Sequence, residues 1–382
     1  VKVLPEGADP MDVRYNVINW VHRATRGWSY GSSVVDPRTG EIIKGHVTLG
    51  SLRVRQDYLI ALGLTSPFSD GSVSNTADTS AQQEMALDRI KQLSAHEVGH
   101  TLGIAHNFAA SENNRASVMD YPHPQITLKD GVISLENAYD KGIGDWDKHA
   151  VTYGYATFAS EDEEKEALAK VITKARNAGL AFKSDSDTRS SRHGSANGHM
   201  WENGSDPLDA FDEISKVRDV ALNNLGMNTL APNASLSSLE DSLVPIFLLH
   251  RYQLEAVAKQ VGGLHYEYER KGDYVTPQGQ QFVEPAVQQR AMQQLIKAST
   301  ADYLSMPESV LSLIPPTAYG DDITREQFKG KMGLMLDPAS AAASAANFSL
   351  SLLLHPERLN RLQWQVTSSK DRRKKVDVNL LI

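Results

Sequence analysis

The sequence predicts an α+β protein: a twisted mixed sheet carrying one long helix, followed by a mostly helical C-terminal region. Three observations carry this. Residues 1–60 read as β-rich, a proline-free stretch from Gln82 to about Ile104 has helical apolar spacing, and helical patterns between polar loops dominate from about Asp145 onward. At 382 residues the chain is longer than one ordinary domain of roughly 100–200 residues. Two regions are therefore expected, 1–145 and 146–382.

In the first region, Arg14–Val21 is dense in β-branched and aromatic residues, the composition of a strand. Tyr30–Asp36, then Pro37-Arg38-Thr39-Gly40, then Glu41–Leu49 reads as strand, tight turn and strand, a hairpin. Residues 65–80 are rich in Ser, Asp, Thr and Gly and read as an exposed loop, one of whose later polar residues caps the next helix. In that helix Met85, Leu87, Ile90, Leu93 and Val98 recur at broadly helical intervals, and Gly103 stands where it should stop.

In the second region Ser160 followed by Glu163 reads as a capping box, with Glu161 and Asp162 adding negative charge at a helix start. Residues 184–206 have loop composition. Helices are expected at Asp209–Leu225, Leu239–Val261, Glu284–Ala298 and Ala339–Leu354. The run Lys370–Lys375 is basic and reads as a solvated end or linker. No internal repeat is present.

Composition narrows the chemistry. The absence of cysteine removes disulfides, thiolate metal sites and cysteine nucleophiles together. A net charge of -8 gives no electrostatic reason to seek nucleic acid or an anionic membrane. No apolar run reaches the length of a membrane-spanning helix, and no signal peptide is present in these residues.

His96-Glu97-Val98-Gly99-His100 lies inside the expected helix, where the i, i+4 spacing puts both imidazoles on one face, close enough to share an ion. Glu97 lies beside that ion, placed to act on a water bound there. Gly103 tolerates the positive φ that an abrupt helix end needs, so the chain can turn back and His106 can deliver a third nitrogen. Three neutral imidazoles leave one tetrahedral position open, the layout of a catalytic rather than a structural zinc site.

Thirteen residues past His106 stands Met119, within Ser117-Val118-Met119-Asp120-Tyr121-Pro122. The extended histidine motif and this methionine turn together resemble the metzincin clan of zinc metallopeptidases. The resemblance implies that Met119 forms an apolar base beneath the metal. The Ser-x-Met-x-Tyr form is similar to astacins and serralysins, and implies that Tyr121 binds the metal or stabilises the oxyanion. More narrowly, the segments DPMDVRYNVINWV, YGSSVVDPRTGEIIKGHVTLGS, SVMDYPHP and HRYQLEAVAKQVGG resemble the bacterial Met-zincin family of large exported proteins, over essentially the whole chain. Metzincin domains open with a strand and a backing helix, whereas only Val1–Leu4 precede the strands here. The resemblance therefore implies that those elements lie in an upstream region of a longer protein, exported to an extracytoplasmic location in a bacterium.

The expected reaction is peptide hydrolysis by a zinc-activated water, with Glu97 as general base and Tyr121 as oxyanion stabiliser. A peptide or protein substrate would add as a strand to a sheet edge, taken to be Gly45, His46, Val47 and Thr48, with Pro122, His123 and Pro124 lining the pocket beyond the scissile bond. Two rivals stand beside this: a catalytically silent zinc-containing peptide-binding module, and a zinc hydrolase of a non-peptide bond. Of the other histidines, His22 reads as structural or surface, His193 and His199 lie with Trp201 in a polar loop where a second metal site is the lesser alternative, His250 bridges helices beside Tyr252, and His265 packs with Tyr266 and Tyr268.

Overall fold

The structure, a computed structural model, describes residues 1–23, 27–69, 77–190, 192–273, 278–321, 323, 326–368 and 376–377. The expected polar loop 65–80 lies partly outside them, and the basic run Lys370–Lys375 wholly so.

The N-terminal strands β1 (Val17–Val21), β2 (Tyr30–Val35) and β3 (Ile42–Gly50) form one mixed sheet in the order β1-β3-β2, with β1 parallel and β2 antiparallel to β3. The expected hairpin is present, closed by the Asp36–Gly40 turn. Helix α1 (Leu52–Thr65) follows β3 directly, and the long helix α2 (Ser80–Thr101) comes next. Val47 and Leu49 of β3 pack on Ile90 and Leu93 of α2, which fixes that helix across one face of the sheet.

α1 falls inside the stretch expected to be β-rich. It packs on α2 and on the later helices α6 and α7, so it is apolar on several sides and lacks the one-sided stripe that marks a surface helix.

Beyond the zinc-motif segment come a hairpin of β4 (Thr127–Lys129) and β5 (Val132–Ser134), then α3 (Asp145–Tyr155), α4 (Glu161–Asn177), the short α5 (Asp185–Thr188) and α6 (Pro207–Asn224). Helices α7 (Leu239–Phe247) and α8 (Arg251–Gln260) divide the stretch expected to be one helix. Pro245 lies inside α7, where it supplies no backbone donor, and the chain breaks at Leu248–His250. The pair β6 (Leu264–Tyr266) and β7 (Gln280–Phe282) leads to α9 (Pro285–Lys297), α10 (Ala301–Leu304), α11 (Glu308–Leu311), α12 (Pro338–Leu353) and α13 (Pro356–Ser368). Ser160 caps α4 as expected, accepting the Glu163 N–H at 3.3 Å.

One continuous core joins Ala61 and Leu64 of α1 and Met85 of α2 to Phe211, Val217, Phe247, Leu254, Met292 and Leu352 of the later helices. The sheet and the floor of the α2 site are thus anchored to the helical body through α1 and α2.

Strand order corrects one expectation. Gly45, His46, Val47 and Thr48 belong to the central strand: His46 pairs with both Val17 and Ser32, and Thr48 with both Asn19 and Tyr30. Backbone groups used on both sides cannot accept a further strand. The edge that borders α2 is β2, whose Gly31 lies so close to Glu97 that a Cβ there would stand 1.9 Å from the Glu97 carbonyl oxygen.

Candidate metal centre

α2 ends in a Schellman motif. Gly103 N–H donates to His100 C=O at 3.0 Å and Ile104 N–H to Gly99 C=O at 3.1 Å, with Gly103 at φ 80°. The reversal brings His106 back against the helix. The Nε2 atoms of His96 and His106 each lie 3.1 Å from that of His100.

All three imidazoles are held from behind. His96 Nδ1–H donates to the Val118 carbonyl (2.7 Å), His100 Nδ1–H to the Ile104 carbonyl (2.9 Å), and His106 Nδ1–H to Asp185 Oδ2 (2.8 Å). Acceptors at every Nδ1 put the proton there and leave a lone pair on every Nε2. Three lone pairs at this spacing have no proton to share, so the contacts among them are not hydrogen bonds and call for a cation. Burial pushes His96 down to about 3, helped by His100, and also lowers His100, so both favour the neutral form that ligates. Among the described residues these three histidines are the one group of side chains arranged to hold an ion. The donor set suits zinc, with three nitrogen ligands and a position left open.

The cleft over these atoms has a volume of about 420 Å³ and is lined by Tyr30, Gly31, Glu97, the three histidines, Gly103–Ala105 and Tyr121. Glu97 is buried, which raises its carboxyl to about 7 against the lowering effects of the Gly31 N–H bonded to it and of Arg89. Tyr121 rests on His106 with ring centroids 4.8 Å apart and on His96 at 5.3 Å. Burial raises its phenol, and Arg189 hydrogen-bonds to it.

Met119 is 1% exposed and lies under α2. A Cβ added to Gly99 would stand 2.3 Å from its sulfur, so glycine is what lets the methionine approach between His96 and His100. Its turn is tied down by Asp147 of α3, which accepts the Ser117 hydroxyl (2.6 Å), the Val118 N–H (2.9 Å) and the Gly144 N–H (2.7 Å). Gln92 of α2 donates to the same Val118 carbonyl that orients His96, at 3.0 Å.

Pro122 and His123 lie just past Tyr121, half-buried, while Pro124 accepts the Asn203 side chain at 3.2 Å. Burial pushes His123 down to about 4, with Arg251 acting in the same sense. His46 faces away from the cleft and meets Asn19 at 3.1 Å, and Gly45 packs on Thr101.

Several site residues escaped the sequence reading. Asp185, with Arg189 bonded to it through Nε at 2.6 Å, comes from the polar stretch 184–206. Trp201 comes from the same stretch; its ring lies tilted against Tyr121 at 4.9 Å, and its backbone N–H donates to the Tyr121 carbonyl at 2.7 Å. The segment is brought in by hydrogen bonds: Phe108 N–H donates to Lys183 C=O (2.8 Å), and the Asn107 side chain to Ala181 C=O (2.9 Å). No local pattern marks these residues as partners of His106 and Tyr121.

A family model described as Met-zincin matches residues 78–381. No curated protein and no solved structure matches the chain.

Proposed function

The chain belongs to the Met-zincin family, and from that premise we propose that it is a zinc-dependent endopeptidase whose metal is held by His96, His100 and His106. The observation that carries this is the meeting of three Nε2 lone pairs beside the Glu97 carboxylate in an open cleft. When bound, zinc supplies a Lewis acid that acidifies water and polarises the scissile carbonyl.

The chain's own residues do the rest. Glu97, with its carboxyl near neutrality, takes a proton from the attacking water and hands it to the leaving amine. The Gly31 N–H steadies that carboxylate. The Tyr121 hydroxyl, positioned by Arg189, donates to the developing oxyanion. Met119 keeps the floor beneath His96 and His100 dry and rigid.

Substrate lies extended along the free edge of β2, where Tyr30 and Gly31 face the cleft, and passes between Glu97 and the Pro122–His123 wall. In this reading residues 1–145 carry the reaction, and 146–382 support it by delivering Asp185 and Arg189. Export from a bacterial cytoplasm and an upstream region of the same protein belong to the same proposal. No helix among the described residues is long and apolar enough to cross a membrane.

The deciding experiment is cleavage of a peptide library by wild type and by Glu97→Gln, each with its metal content measured. Chelator-sensitive cleavage by wild type alone, with about one zinc in both, supports the proposal. Zinc in both and cleavage by neither would move the reading to a peptide-binding module or to a non-peptide substrate.

A further inference from the structure

Beyond Tyr121, past the residues that line the cleft, three arginines gather around Trp201 and Tyr252. Trp201, tilted against Tyr121, holds the Arg53 guanidinium 5.7 Å from its ring and that of Arg89 at 5.8 Å. Tyr252 lies 6.0 Å from Trp201 and carries the Arg251 guanidinium at 4.3 Å. His123, two residues past Tyr121, is half-buried and feels the charges of Arg251 and Arg53.

The negative side of this cluster is small. Asp57 is engaged by Arg53 (2.6 and 2.8 Å) and the Tyr139 hydroxyl (2.7 Å), and Glu97 of the metal centre is the other carboxylate that acts on Arg89. Arg89 is 2% exposed, bonds only to Gln92, and its Nε has no partner. Arg251 bonds to the Tyr252 hydroxyl and is in no ion pair with a carboxylate among the described residues. A buried guanidinium without a counter-ion costs stability. A ligand that brings negative charge to this cluster relieves that cost.

We propose that Arg53, Arg89 and Arg251, around Trp201 and His123, form the subsite for the residue after the scissile bond and select a carboxylate side chain, aspartate or glutamate. Arg251 reaches the surface and can meet a carboxylate through paired N–H donors, with Arg53, whose Nε and Nη2 are held by Asp57, half-buried beside it. Arg89 lies beneath them and adds positive charge that no direct ion pair among the described residues neutralises, while Trp201 and Tyr252 wall the site. The aromatic series His106, Tyr121, Trp201 sets this patch one side chain beyond the metal ligands. The inference rests on the peptidase reading above.

Two measurements separate its failure from the failure of that reading. The first is cleavage by zinc-loaded wild type of matched peptides that differ only in Asp against Asn, or Glu against Gln, after the scissile bond. The acidic members should be favoured at least about tenfold in kcat/KM, and Arg251→Gln should bring the ratio towards one. The second is equilibrium binding of the same labelled peptides to Glu97→Gln protein by fluorescence anisotropy.

Chelator-sensitive cleavage with equal rates for acid and amide overturns the subsite and leaves the peptidase. No cleavage of any peptide, with Arg251-dependent binding of the acidic ones, overturns the peptidase and leaves the subsite. Neither cleavage nor acidic preference overturns both. Should Arg251→Gln fail to fold, the wild-type acid-to-amide ratio decides alone.

Discussion

His106 Nδ1 and Asp185 Oδ2 lie 2.8 Å apart although 79 residues separate them in the chain. Two of the three imidazoles are aimed by backbone carbonyls that the zinc helix and the methionine turn supply themselves. The third is aimed by a carboxylate, itself clamped by Arg189. A carboxylate in that position fixes the tautomer and makes the ligating nitrogen more basic.

Asp185→Ala should therefore weaken zinc binding by about 10–100-fold, read by competition against a chromophoric chelator. Asp185→Asn retains an acceptor oxygen without the charge and should fall between. Wild-type affinity in the alanine variant would show that His106 needs no such partner.

The contact between Gly99 and Met119 makes a second case. Gly99→Ala would force a methyl to within 2.3 Å of the Met119 sulfur, so either α2 or the turn must shift. The expected cost is about 1–3 kcal/mol in stability, measured by denaturant unfolding, with weaker zinc binding because His96 and His100 flank the residue. Adding Met119→Ala to Gly99→Ala should return part of the loss. Strict additivity of the two changes would mean that the sulfur and Gly99 do not press on each other.

How far the sequence exposes this centre follows from where its parts lie. His96, Glu97, His100, Gly103 and His106 sit within one helix and its end, so spacing alone brings them together, and Met119 follows after a single loop. Asp185, Arg189 and Trp201 reach the centre only after the 181–185 segment pairs with 107–108, which no periodicity encodes. Strand order is similarly hidden. The composition of β3 marks it as a strand, but β1 returning parallel on its far side is what removes it from the edge. α1 was obscured because a helix buried on several sides shows little amphipathic pattern.

Tyr121 offers a test of the oxyanion role apart from packing. Its ring contacts with His106, Phe108 and Trp201 do not involve the hydroxyl. Tyr121→Phe should leave thermal stability and zinc content near wild type while lowering kcat by about 10²–10³-fold. A loss of less than twofold would remove the hydroxyl from the reaction.

Beneath the turn, Asp120 is 6% exposed, and burial pushes its carboxyl up to about 8 even though it accepts the Tyr121 N–H at 2.7 Å. Glu202 faces it, bonded by the Ser111 hydroxyl at 2.5 Å, and is raised well above the usual range by burial and then by Asp120. Glu112, Lys183 and the buried Lys259 are further charged neighbours. Because the folded value of Asp120 exceeds its unfolded value near 4, the folded state binds the extra proton between those limits. Its contribution to stability is fully present below about pH 4 and is lost as pH rises through about 8. Asp120→Asn keeps an oxygen for the Tyr121 N–H and removes the titration. Compared as metal-free proteins, since metal affinity carries its own pH dependence, the variant should lose less Tm than wild type between pH 5 and pH 8.5 and be the more stable of the two at the alkaline end. Parallel Tm profiles for the two proteins would mean that Asp120 keeps the same charge folded and unfolded.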